Sequence, residues 1–112
     1  MKTLLAVLLA SLAGGALAAP KAESAMECGI AADMAIVARS LAQEEVRPPQ
    51  AGAIMARIYD VSASARGKEL MKDILDAAYR NDGADSQEFA ENLFTACMKT
   101  GGNMDTVLGK RL

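Results

Sequence analysis

The sequence predicts an all-α fold, a small four-helix bundle or orthogonal helical domain tied by one disulfide. Three observations predict it. Apolar residues recur at three- and four-residue spacing in four segments, and no segment alternates with the period of two that marks a half-buried strand. Capping and breaking residues bound each segment: Ser24, Pro48-Pro49, Asn81-Asp82-Gly83 and Gly101-Gly102. Two cysteines are present, Cys28 one turn inside the first segment and Cys97 near the end of the last.

Residues 1–18 read as a secretory signal peptide. Lys2 gives the positive start, a short apolar run follows, and Ala16-Leu17-Ala18 supplies the small-residue cleavage pattern. Cleavage after Ala18 is preferred because a cut after Ala19 would leave Pro20 directly behind it. The apolar run is too short to span a bilayer as an anchor, and no later segment is long and apolar enough to do so. The chain carries 12 basic and 14 acidic residues, so loss of Lys2 leaves a net charge of −3. The charges are scattered, with no basic stripe of the kind that neutralises phosphates, which argues against a nucleic-acid partner. Residues 19–112 form a single helical domain with mobile ends, and 19–23 are a mobile lead-in.

The first helix carries the amphipathic stretch 24–45 and should stop near Val46 or Arg47. Ser24 is the N-cap, and Glu27 completes a capping box and suits the positive end of the helix dipole. Ile30, Met34, Val37 and Leu41 recur on one face, widened by Ala31, Ala38 and Ala42. Asp33, Arg39, Ser40 and Gln43 occupy the other side, and Ile36 points away from Met34. Cys28 lies at the border of the apolar face, where it can reach a neighbouring helix without displacing the core stripe. Pro48 and Pro49 end this helix and open the next, because they cannot continue a helix but suit its first turn.

The second helix runs from Pro49 to about Val61, with Ala51, Ile54, Met55, Ile58 and Val61 on its apolar face. Its short linker makes it an antiparallel or cornered neighbour of the first. Residues 62–67 are either a turn or the opening of the third helix. From Lys68 the helical pattern is plain: Leu70, Met71, Ile74, Ala77 and Ala78 face inward, while Glu69, Lys72, Asp73, Asp76 and Arg80 face water. Lys72–Asp76 and Asp76–Arg80 have the spacing of helical ion pairs. Asn81-Asp82-Gly83 is a stop, and Asp85 with Glu88 repeats the capping pattern. The fourth helix, from Ser86 to about Thr100, buries Phe89, Ala90, Leu93, Ala96 and Cys97. Beyond Gly101-Gly102, one short turn around 105–108 is the most the sequence supports.

An exported chain with two cysteines most simply forms one disulfide, Cys28–Cys97. Closing a loop of about 70 residues removes unfolded-state entropy equivalent to about 4 kcal/mol.

Catalytic constellations are thin. The chain has no histidine, which removes the commonest general base, a usual metal ligand and the Ser-His and Cys-His nucleophile pairs. The carboxylate pairs Glu44/Glu45 and Glu69/Asp73 read as solvated helix surface. The oxygen-rich stretch 81–88 fails as an EF-hand. With Gly83 as the central glycine, Ala78 and Arg80 stand where oxygen ligands belong, and Phe89 stands where the closing glutamate belongs. Met26 and Met98 flank the two cysteines, a set that would suit a soft ion if the thiols were free, but methionine is also an ordinary filler of helical cores.

The segments Cys28-Gly29-Ile30-Ala31, Ala78-Tyr79 and Phe89-x-x-x-Leu93-Phe94-x-x-Cys97, behind a signal peptide, resemble a loose class of small exported two-cysteine helical proteins of Gram-negative bacteria. Periplasmic immunity proteins against secreted toxins are similar in size, helicity and cysteine pairing. The resemblance implies a periplasmic or secreted location and no particular activity or cofactor. With no histidine base, no activated nucleophile and a stapled, alanine-lined interior, the expected function is non-enzymatic: binding another protein, or a second copy, through a helix surface. Ile36, Arg39, Tyr59, Tyr79 and Met98, at or beyond the edges of the predicted core faces, are the candidate contact residues. The alternative is a small-molecule or soft-metal carrier that uses the bundle interior.

Overall fold

The computed structural model describes residues 21–59 and 65–109. The signal peptide, Val61 and the first part of the uncertain 62–67 stretch lie outside them. Five helices follow in order: α1 (Ala25–Gln43), α2 (Pro48–Tyr59), α3 (Ala65–Arg80), α4 (Ser86–Lys99) and α5 (Asp105–Leu108). No strand occurs among the described residues. Helix α1 is the central element and packs on α2, α3 and, most extensively, α4.

Both ends of α1 are made locally. The Ser24 hydroxyl accepts from the Glu27 amide at 3.2 Å, and the Glu27 carboxylate accepts from the Glu23 amide at 2.9 Å. That second bond falls one residue earlier than a capping box places it. At the other end, the Val46 amide donates to the Leu41 carbonyl and the Glu45 amide to the Ala42 carbonyl, both at 3.0 Å. This is a Schellman cap, with Glu45 rather than glycine in the left-handed region at φ 61°. Leu41 and Val46, the positions whose apolar contact accompanies such a cap, both lie half-buried against the core. The cap is thus complete by Val46, and α2 starts at Pro48, one residue earlier than expected.

The buried seam of α1 is rotated from the expected one. It consists of Cys28, Ala31, Met34, Ala35, Ala38 and Arg39, while Ile30 is exposed. The reason is steric. A helix packed on three others needs thin side chains where the axes approach, so the alanines take the seam. Val37 and Leu41 fill the wider gaps at its flanks. In α2, Ala51 and Met55 are buried, whereas Ile54 and Ile58 remain exposed. This short helix covers α1 and α3 with one edge only.

Helix α3 begins at Ala65, so the end of the 62–67 stretch opens the helix. Leu70, Ile74, Leu75, Ala77 and Ala78 are buried as a stripe, together with Asp73, which the sequence places in water. The ion pairs also differ from those expected. Among the described residues, Arg66 pairs with Glu23 at 3.1 Å and Glu27 at 2.5 Å. Arg80 donates to the Leu108 carbonyl at 2.8 Å, bringing α5 against α3.

Asp85 caps α4 as expected, accepting from the Gln87 and Glu88 amides at 3.0 and 3.2 Å. Helix α4 runs antiparallel to α1, and the Cys28–Cys97 disulfide joins the first turn of α1 to the last turn of α4 with Cα atoms 5.7 Å apart. Past α4, Gly101 and Gly102 take positive φ, and the Gly102 amide donates back to the Cys97 carbonyl at 2.8 Å. The short turn expected at 105–108 is present as α5, with Leu108 and the preceding Met104 buried. Within the described residues the lead-in packs on the far end of the chain: Ala22 is buried, and its amide donates to the Gly102 carbonyl at 2.9 Å. The largest fully buried side chains, Met55, Ile74, Leu93, Met104 and Cys97, come from α2, α3, α4 and the α4–α5 connection.

Candidate interaction surface

The α1–α4 pair presents its outer face to solvent. Four residues of α1 share one side of that helix at helical spacing: Ala25, Gly29, Ala32 and Ile36. On α4, Gln87, Glu91, Phe94 and Met98 do the same. The antiparallel packing sets these rows side by side. A groove of about 550 Å³ runs between them, walled by Ala32 and Ile36 from α1 and Ala90 and Phe94 from α4, with Gln87 and Glu91 at its rim. Ile36 is 36% exposed, Phe94 40% and Met98 49%. A side chain at Gly29 would meet nothing within 4 Å, so the α1 row is low toward the disulfide end. This surface has thin residues on one helix and large apolar ones on its neighbour.

The five residues singled out by the sequence divide among different places. Ile36 walls the α1–α4 groove, while Met98 is exposed one helical turn beyond Phe94 and lines a separate groove at the disulfide. Arg39 does not reach the surface: it is 4% exposed, its Nε donates to the Ala84 carbonyl at 2.7 Å, and its Nη1 donates to the Ala78 carbonyl at 2.6 Å. It holds the α3–α4 turn to α1 and is withdrawn as a contact residue. Tyr59 is half-buried on another side of α1, where its hydroxyl donates to Asp33 at 2.6 Å. It borders a groove of about 230 Å³ with Ile30, Met34 and Leu70. Tyr79 is half-buried on a third side, its hydroxyl donating to the Val46 carbonyl beside the α1–α2 connection.

Phe94 is the member of the surface that the sequence reading did not select, although the signal was present. It is the large aromatic left out of the apolar stripe Phe89, Ala90, Leu93 and Cys97, and it shares a helical face with Met98.

Titratable groups off this face serve the framework. Hydrogen bonding to Arg66, and then to the Glu23 amide, holds the Glu27 carboxyl below the usual carboxylate range. Burial, followed by the neighbouring Asp33 carboxylate, pushes the Tyr59 phenol well above its ordinary range. Burial also raises Tyr79, against the opposing field of Arg39. Of the two carboxylate pairs considered from sequence, Glu44 and Glu45 are exposed, while Glu69 is half-buried and Asp73 is buried. No group of three or more His, Cys, Asp or Glu side chains is gathered for a metal ion among the described residues. Both cysteine sulfurs are joined to each other, so the soft-ion set of two thiolates and two thioethers is not assembled. No helix among the described residues is long and apolar enough to cross a membrane.

Comparison with known proteins found no matching family model, curated protein or solved structure.

Proposed function

We propose that this is a non-enzymatic, periplasmic or secreted helical protein that binds another macromolecule through the α1–α4 face. One observation carries the reading. Ile36 and Phe94 are large and apolar, wall one two-helix groove and stand outside the core, and exposed Met98 follows Phe94 one helical turn on. A contiguous apolar surface rimmed by polar residues is characteristic of interaction sites, and buried aromatic anchors contribute most to such contacts. The interior supports the same reading, since long side chains of several helices fill it. The disulfide, the leader pattern and the absence of a membrane-crossing helix among the described residues support export.

The test compares the mature chain with Phe94→Glu and Ile36→Glu variants as bait in periplasmic extract. Both positions are solvent-facing, so the variants are expected to keep the wild-type circular dichroism. The expected result is a protein retained by the wild type and lost from both variants. A wild type that retains nothing and has a monomeric mass by light scattering counts against the reading. N-terminal sequencing of the exported chain, expected to begin at Ala19, tests the location separately.

A further inference from the structure

We propose that residues 21–24 are a strap flanking the groove that the Cys28–Cys97 disulfide lines, and that local opening of this strap sets the rate at which thiols reduce the bond. The inference does not depend on the α1–α4 face being an interaction site. Cys28 is 3% exposed and Cys97 is fully buried. A thiolate must reach a sulfur directly, so neither is open to attack in the closed structure. Cys28 and Cys97 line a groove of about 250 Å³. One wall is the strap, Ala22 to Ser24, and the other is the end of α4 with Met98, Gly101 and Gly102.

The strap is held by a few identifiable contacts. The Ala22 amide donates to the Gly102 carbonyl at 2.9 Å. Arg66 donates to the Lys21 carbonyl at 2.9 Å, to Glu23 at 3.1 Å and to Glu27 at 2.5 Å. Ala22 is the one strap residue that is buried; Lys21, Glu23 and Ser24 are exposed. The fit at Gly102 is close. A Cβ there would stand 2.0 Å from the Ala22 carbonyl oxygen, so any larger residue displaces the strap. A segment tied by a handful of polar contacts and one small apolar side chain opens at far less cost than the whole domain. Once it opens, one thiolate of a dithiol attacks a cystine sulfur. The other cysteine leaves as a thiolate and takes up a proton. The second thiol of the reagent then displaces the mixed disulfide, so the reagent is oxidised to its own disulfide and both cysteines become thiols.

The test uses the oxidised mature chain with excess dithiothreitol and follows thiol release by alkylation and mass measurement across low urea concentrations. Global unfolding rates are measured in parallel. The proposal expects wild-type reduction to depend weakly on urea, as a local opening does. It expects Arg66→Gln and Gly102→Ala to speed reduction about tenfold or more, beyond any change in their global unfolding rates. The Ala22 amide should lose hydrogen-exchange protection in both variants. Gly102→Ala also alters the end of α4, so Arg66→Gln is the deciding variant. Reduction of Arg66→Gln at the wild-type rate, or wild-type reduction with the same urea dependence as global unfolding, overturns the proposal.

Discussion

Arg39 shows how a single side chain changes role between sequence and structure. Its position on α1 is the polar side by helical arithmetic, yet its guanidinium reaches two backbone carbonyls. Ala78 belongs to the last turn of α3, where carbonyls lack intrahelical partners, and a cation also suits that negative end of the helix dipole. Arg39→Met would keep the apolar stem but strip the Ala78 carbonyl of this donor and leave the Ala84 carbonyl with only the longer bond from Gln43 Nε2 at 3.3 Å. We expect it to cost about 2–4 kcal/mol, read as a lower urea midpoint with unchanged slope. Glu27 makes a smaller contribution with a definite pH signature. Its folded-state pKa lies below its unfolded value because Arg66 and the Glu23 amide stabilise the charged form. Its stabilisation is therefore fully present above the unfolded carboxylate range and is lost as pH falls through the lower folded value. Partial exposure of both partners limits the effect, so Glu27→Gln should cost less than about 1 kcal/mol at pH 7. The difference from wild type should shrink progressively in urea titrations carried out at pH values below the ordinary carboxylate range.

At the scale of elements, capping and breaking chemistry was legible in the sequence because it is local. Ser24, the prolines, Asp85 and the glycine pair act on residues within one turn, and all mark helix ends in the structure. The face each helix buries was less legible, because it depends on how many neighbours surround it. The large aliphatics of α1 suggested a seam through Ile30, but packing on three helices selected Ala31, Ala35 and Ala38. Ala35→Leu would force three extra heavy atoms into a site with no exposed surface. We expect a loss of about 1–3 kcal/mol. Ala32→Leu, on the groove side of the same helix, should change stability by no more than about 0.5 kcal/mol. Thermal melts of the two variants make the comparison, and equal losses would place the seam elsewhere. The exposed apolar α1–α4 face was half legible. Ile36 and Met98 stood out as apolar residues off the stripe, but Phe94 gained its meaning only when α4 was set antiparallel against Ile36.

At the scale of the molecule, the disulfide bridges 69 residues and encloses α2 and α3 between the two helices it joins. Replacing both cysteines by alanine should cost about 4 kcal/mol, the loop-closure entropy of so long a connection. Calorimetry of the double variant against the oxidised wild type checks this. A shift no larger than a surface substitution produces would mean that the loop is already restricted in the unfolded chain.

The sequence by itself determined the all-α class, the capped start of α1, both ends of α4 and the partnership of the two cysteines. Periodicity, caps and the pairing of two thiols are properties of short range or of simple count. Only the tertiary structure decided that Arg39 is internal, that the alanines rather than the isoleucines form the seam of α1, and that Ala22 is locked against Gly102. Each of these depends on which backbone from another part of the chain comes within hydrogen-bonding or van der Waals range. That is set by the joint packing of several helices, and no single segment encodes it.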